Sequence, residues 1–141
     1  MNGWSSPSPT QPLVANFANQ IQLIGYDSIY EKINPGNALP LTLYWETLQP
    51  PGQNLNLFIH LIDPATGEQI AGFDAPPSFP TGYWQPGNTI IDARSLPIPA
   101  DLPPGNYELR IGWYNLNDFA RLPLVGSTGG DALPLFSLSV E

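Results

Sequence analysis

Apolar residues recur at every second position in several short runs of this chain. The clearest run follows Leu102-Pro103-Pro104-Gly105. There Tyr107, Leu109, Ile111 and Trp113 share one side of an extended segment, and Glu108, Arg110, Gly112 and Tyr114 share the other. A period of two sends alternate side chains to opposite faces of a strand, one buried and one wet. Residues 39–48 repeat the pattern, with Leu41, Leu43 and Trp45 inward and Thr42, Tyr44 and Glu46 outward. In residues 55–63, Leu55, Leu57, Ile59 and Leu61 point one way and Asn56, Phe58, His60 and Ile62 the other. The second set is less polar than a solvent face should be, so it is expected under a loop or within an interaction surface.

Further strands are predicted at 16–27 around Ile21, Leu23 and Gly25, at 68–73, 89–92 and 133–140, and for a short piece of 116–124 beside the turn Asn117-Asp118. Between them lie Asn34-Pro35-Gly36-Asn37, Gln49-Pro50-Pro51-Gly52 and Asp63-Pro64-Ala65-Thr66-Gly67. In such turns proline presets φ and glycine accepts positive φ. About seven or eight short antiparallel strands separated by turns predict an all-β, immunoglobulin-like β-sandwich. Tyr107, just after Pro103-Pro104-Gly105, is placed for a tyrosine corner, its hydroxyl tying strand to loop. The longest connection, residues 74–88, is of a length that usually carries function or covers an edge.

A chain of 141 residues is expected to be one domain. It can bury about two-thirds of its unfolded surface and needs no metal or disulfide to fold. There are no cysteines, which excludes thiol chemistry and cysteine-ligated zinc. Eighteen prolines and thirteen glycines argue against a helical fold. The net charge is −8, with only Lys32, Arg94, Arg110 and Arg121 as cations. Nucleic acid is therefore not an expected partner, since its phosphates demand a basic footprint. No apolar run is long enough to cross a bilayer, so no direct membrane insertion of this segment is expected.

Residues 1–15 read as a Ser/Pro-rich linker without the basic and apolar regions of a signal peptide, and 16–141 as the sandwich domain. A chain that opens on a linker is expected to belong to something larger.

Candidate chemistry is sparse. His60 is the only histidine, no Gly-x-Ser-x-Gly elbow exists, and no Asp-x-Asp-x-Asp loop offers a calcium site. Gly129-Gly130 lacks the lysine and the strand-to-helix setting of a phosphate loop. No cofactor and no metal are expected. Asp27, Asp63, Asp74, Asp92 and Asp101 could in principle pair for glycoside hydrolysis across a cleft. Asx turns are the simpler expectation for Asp27 and Asp92.

The aromatic residues are the more informative set. Trp45 and Trp113 alternate inward and belong to the core. Tyr83 and Trp84 lie in the long loop, and Tyr44, Phe58 and Tyr114 alternate outward near His60. Exposed rings beside polar groups make ligand sites, sugars among them. Tyr83, Trp84, Phe58, His60, Tyr44 and Tyr114 are accordingly the candidate ligand-binding residues. The alternative for Trp84 is that it folds back to plug an open end of the sandwich, with Trp84-Gln85-Pro86-Gly87 a packing corner.

The segments Asn19-Gln20-Ile21-Gln22-Leu23-Ile24-Gly25-Tyr26-Asp27, Leu41-Thr42-Leu43-Tyr44-Trp45, Phe58-Ile59-His60-Leu61-Ile62-Asp63, Trp84-Gln85-Pro86-Gly87 and Leu102-Pro103-Pro104-Gly105-Asn106-Tyr107 occur in this order. Together they resemble the small β-sandwich domains appended to bacterial multi-pass membrane glycosyltransferases and related cell-envelope proteins. The resemblance covers nearly all of residues 16–140 and rests mostly on core and turn positions. It implies a non-catalytic accessory domain, extracytoplasmic and part of a larger protein, and brings no catalytic residue with it. The expected partner is that parent protein, or a carbohydrate. A self-contained carbohydrate-binding module is the alternative, and a small hydrolase the remote one.

Overall fold

The computed structural model describes residues 8–28, 32–126 and 130–141. Among them run nine strands: β1 (Gln11–Phe17), β2 (Ile21–Asp27), β3 (Lys32–Ile33), β4 (Ala38–Thr47), β5 (Leu55–Ile62), β6 (Gln69–Gly72), β7 (Thr89–Pro97), β8 (Gly105–Asn115) and β9 (Leu133–Val140). They form two sheets, ordered β1-β2-β4-β7 and β3-β9-β8-β5-β6. The fold is the all-β sandwich that the alternation predicts, with two differences. The strands number nine rather than seven or eight, and β3 pairs parallel to β9 while every other named pair is antiparallel.

β1 also revises the linker boundary. Residues 11–15 are strand, whereas a linker was expected to run to residue 15; residues 1–7 of that stretch lie outside the described ones. β1 is an edge strand, where Pro12 is tolerated because no neighbour needs its missing N–H. Its turn into β2 is made by Ala18 and Asn19, both at positive φ (56° and 59°), without the glycine that would mark a hairpin in sequence. The Asn16 side chain holds that turn by accepting from the Asn19 backbone N–H at 2.8 Å and donating to Asn19 Oδ1 at 3.0 Å.

The inward faces are as the period of two dictates. Leu41, Leu43 and Trp45 of β4, Leu55, Leu57, Ile59 and Leu61 of β5, and Leu109, Ile111 and Trp113 of β8 are buried in one core. The Trp45 and Trp113 rings meet edge to face with centroids 5.0 Å apart, an arrangement favoured by the ring quadrupole. Trp84 completes the group at 5.8 Å from Trp113, and Phe17 of β1 packs on Trp45 at 6.1 Å. The tyrosine corner is present: the Tyr107 hydroxyl donates to the Pro103 carbonyl at 2.7 Å, fixing the turn that launches β8.

Edge strand β7 carries two charges on its inward side. Asp92 and Arg94 stand opposite Leu43 and Leu41 of β4, and the guanidinium grips the carboxylate with both Nε (2.9 Å) and Nη2 (2.8 Å). Arg94 Nη1 donates to the Ala75 carbonyl, so the pair also ties the loop after β6 across this side of the sandwich. Inward charge on an edge strand discourages the addition of a foreign strand. Asp92 is thus an ion-pair partner and not the Asx turn expected of it.

Candidate functional site

The outer face of the five-stranded sheet gathers three of the six candidate residues. On β5, Asn56, Phe58 and His60 lie opposite Tyr114, Gly112 and Arg110 of β8. The missing side chain of Gly112 leaves the space that the Phe58 ring fills. A Cβ at this position would stand under 3.0 Å from Phe58 Cζ and Cε2, and 2.7 Å from the Asp131 carbonyl oxygen. Phe58 lies 4.7 Å (centroid to centroid) from the His60 ring and 6.4 Å from that of Tyr114.

A segment after β8 returns over this row. The Asn115 N–H donates to the Ala120 carbonyl and the Leu122 N–H to the Trp113 carbonyl, which draws Arg121 back alongside Tyr114. The Arg121 guanidinium carbon then sits 4.3 Å above the Phe58 ring, and Nη1 lies 3.3 Å from Asp131 Oδ1. The apolar character of this face is thereby explained: it lies partly under a loop, as one of the two expectations held. Phe58 is fully buried beneath Arg121 and serves as a floor, so a direct ligand contact from its ring is not possible.

Above the floor is a polar chain. Asn56 Nδ2 donates to the Tyr114 hydroxyl at 2.6 Å, and the hydroxyl lies 3.3 Å from Asp74 Oδ2. Asp74 Oδ1 lies 3.4 Å from His60 Nε2, with the His60 side chain 14 % and the Asp74 side chain 33 % exposed. Burial, the largest influence, holds the imidazole below its ordinary pKa; the Asp74 charge pulls it back up and the Arg121 charge pushes it down. A neutral imidazole still donates one hydrogen bond. The side-chain contacts described for His60 are Phe58, Asp74 and Arg121. Among the described residues, no group of three or more metal-ligating side chains is present.

Phe119 belongs to the same face and was not singled out in the sequence. Its ring is 70 % exposed and lies 6.0 Å from that of Tyr114. It occupies a left-handed conformation, φ 61°, at the end of the turn from β8 to Arg121. A phenylalanine is costly there, where glycine or asparagine is usual. Nothing in local sequence marks it, because Asn117-Asp118 already accounts for the turn.

The other three candidates do not join this site. Trp84 is fully buried, and its indole N–H donates to the Phe79 carbonyl at 2.8 Å, so it plugs the sandwich and offers no ring to a ligand. Tyr44 belongs to the four-stranded sheet, is buried, and donates its hydroxyl to Asp27 Oδ2 at 2.6 Å. Asp27 also accepts from the backbone N–H and hydroxyl of Thr10, so it ties the chain before β1 to β4 instead of closing an Asx turn. Its hydrogen bonds, the Tyr44 one foremost, lower its pKa. Tyr83 is 66 % exposed and stacks on Phe79 at 6.1 Å, and Phe79 in turn lines a shallow depression with Ile91 of edge strand β7.

Two grooves open elsewhere. One of about 460 Å³ is lined by Lys32, Ile33, Asn34, Asn37, Ala38 and Glu141. The second, about 340 Å³, includes the stacked pair Tyr26 and Phe136, with centroids 5.2 Å apart. Their lining residues Ser28 and Lys32 flank positions 29–31, which are not among the described ones.

No family model and no curated protein matches this sequence. Solved structures do. The C-terminal domain of Wzt is similar over 96 % of this chain and 82 % of its own, with a TM-score of 0.65 at 14 % identity. A Niemann-Pick type C2 protein from the Japanese carpenter ant is similar over 97 % of this chain and 100 % of its own, with a TM-score of 0.50 at 9 % identity. Part of the alkylpurine DNA glycosylase AlkC of Pseudomonas fluorescens, solved bound to DNA containing an abasic site analog, is similar over 86 % of this chain. That match takes in 30 % of the glycosylase, with a TM-score of 0.54 at 16 % identity. At these identities the likeness is one of fold. Among the described residues, no helix is long and apolar enough to cross a membrane.

Proposed function

We propose that this chain is a non-catalytic accessory domain of a larger extracytoplasmic envelope protein, and that it works by binding carbohydrate on the outer face of the five-stranded sheet. One observation carries this reading: an exposed aromatic residue, Phe119, stands against Tyr114, whose hydroxyl is linked through Asp74 to His60, while Arg121, drawn back alongside Tyr114, is held over Phe58 by Asp131. An apolar surface with a few positioned polar groups is the usual make-up of a ligand site. The similarity to the Wzt C-terminal domain, itself one domain of a larger protein, supports an appended role. The non-catalytic reading is supported by the engagement of three of the five aspartates considered for hydrolysis. Asp27 is bound to Thr10 and Tyr44, Asp92 to Arg94, and Asp63 to the Ala65 N–H.

A second reading is favoured by Phe79, Tyr83 and Ile91, three exposed apolar residues at the β7 edge. Such a patch suits docking onto a parent protein. An NMR amide-shift titration of the labelled chain with a panel of soluble oligosaccharides separates the two. Saturable shifts at residues 56–60, 74 and 114–121 are expected. Shifts confined to residues 79–91 would move the site to the β7 edge, and release of hydrolysed sugar would overturn the non-catalytic reading.

A further inference from the structure

We infer that the outer-face site takes a neutral sugar ring, laid on Phe119 as its platform, and rejects acidic sugars; this rests on the carbohydrate reading above. The first argument is the backbone at Phe119. A bulky residue at φ 61° is strained, and strain of this kind persists where something else requires the residue. Packing does not require it, since 70 % of its surface is exposed. The turn does not require it either, because its hydrogen bonds are made by other groups. The Asn115 carbonyl accepts from the Phe119 N–H at 2.8 Å, Asn115 Oδ1 from the Asn117 N–H at 2.7 Å, and Asp118 Oδ1 from the Ala120 N–H at 2.9 Å. An asparagine at position 119 would keep the backbone bond and relieve the strain. What it would lose is a flat apolar ring, presented on a rigid turn and propped against Tyr114.

The second argument is charge. All four lysines and arginines of the chain lie among the described residues, and each is paired with a carboxylate. Lys32 lies 3.8 Å from Glu141, and Arg94 lies 2.8 Å from Asp92. Arg110 lies 2.5 Å from Glu108, and Arg121 lies 3.3 Å from Asp131. An anionic ligand would have to share a cation already neutralised by a carboxylate and would meet a protein of net charge −8. A neutral ligand meets none of that. Around Tyr114, against which Phe119 is propped, it finds the Asp74 carboxylate, with acceptor positions beyond those used by Tyr114 and His60, and Arg121, with donors beyond the one given to Asp131. A carboxylate and a guanidinium next to an aromatic face match the hydroxyls and the apolar C–H face of a pyranose.

The test compares the chain with its Phe119→Asn variant in thermal melting and in titration with neutral hexose oligosaccharides and uronic-acid oligosaccharides. The expected result is binding of the neutral set alone, at least a tenfold loss of affinity in the variant, and a variant melting temperature equal to or above that of the parent. A residue kept for structure would lower the melting temperature instead. Several results overturn the inference. If neutral sugars shift residues 114–121 equally well in the variant, Phe119 is not the platform, while the carbohydrate reading stands. If uronic-acid sugars bind as well or better, the neutral class is wrong and the site remains. If no sugar binds the unsubstituted chain, both fall.

Discussion

Gly112→Ala is the most direct perturbation of the candidate face, because one methyl group tests whether the Phe58 ring lies across β8. The added carbon would stand under 3.0 Å from two Phe58 ring atoms and 2.7 Å from the Asp131 carbonyl oxygen, so backbone blocks one side and a buried ring the other. Phe58 cannot swing away freely, being fully buried under Arg121 and flanked by His60 and Tyr114. Overpacking of a filled site costs about 1–3 kcal/mol, and this site, closed on both sides, belongs near the top of that range. At this chain length each kcal/mol lowers Tm by roughly 2–4 °C. Phe58→Ala alone is expected to cost about 3–5 kcal/mol as a large-to-small change. With the ring gone, the methyl has room on that side, so the double variant should be more stable than the sum of the two losses by about 1–2 kcal/mol. Urea unfolding reads this out as shifts in midpoint at constant slope. A Gly112→Ala protein within about 0.5 kcal/mol of the parent, or a double variant additive to within about 0.5 kcal/mol, would refute the packing of this face.

Truncating the core tryptophans should cost more: Trp45→Ala or Trp113→Ala is expected to lose about 3–5 kcal/mol, and a loss well under about 1 kcal/mol would mean the strand faces are reversed. Tyr107→Phe removes only the hydroxyl that holds Pro103, and should cost about 1–2 kcal/mol in the same unfolding assay; no loss would show that the corner does not fix the turn. His60 sets a pH dependence. Its pKa is lower in the folded protein than the ordinary 6.5, so between the two values the unfolded chain binds more protons. Stability is therefore full above about pH 6.5, falls as the pH drops from there to the folded-state pKa, and levels off below it. Melting curves between pH 7.5 and pH 5 should show this fall, and His60→Gln should flatten it; an unchanged slope in the variant would assign the titration elsewhere.

Much of the candidate face was legible in the strand pattern. The alternation in β5 and β8 put Phe58, His60 and Tyr114 on one side, and the low polarity of that side already asked for a cover. The cover itself, Arg121 with Asp131, comes from a loop whose path depends on contacts with β8. Asp74 likewise reaches His60 because backbone bonds between Leu57 and Ala75 hold the chain after β6 against β5. Phe119 carried no signal, since its importance lies in a backbone conformation and an exposure that no residue type encodes. Trp84 and Tyr44 show the reverse. Their placement in a loop and on an outward face suggested accessible rings, but one indole turned inward to meet Trp113 and one hydroxyl was taken by Asp27.

The sequence by itself determined the class of fold, the faces of the strands, the tyrosine corner and the tryptophan core, because these follow from local backbone geometry acting on a period of two. It also determined the charge that disfavours acidic ligands. Tertiary structure alone decided that β1 is a strand, that β3 joins β9 in parallel, and which outward residues meet. Those outcomes depend on how segments distant in sequence settle on a finished sheet, and the hydrogen bonds and ring contacts that settle them join residues more than a hundred positions apart, as between Ile33 and Glu141 or Tyr26 and Phe136.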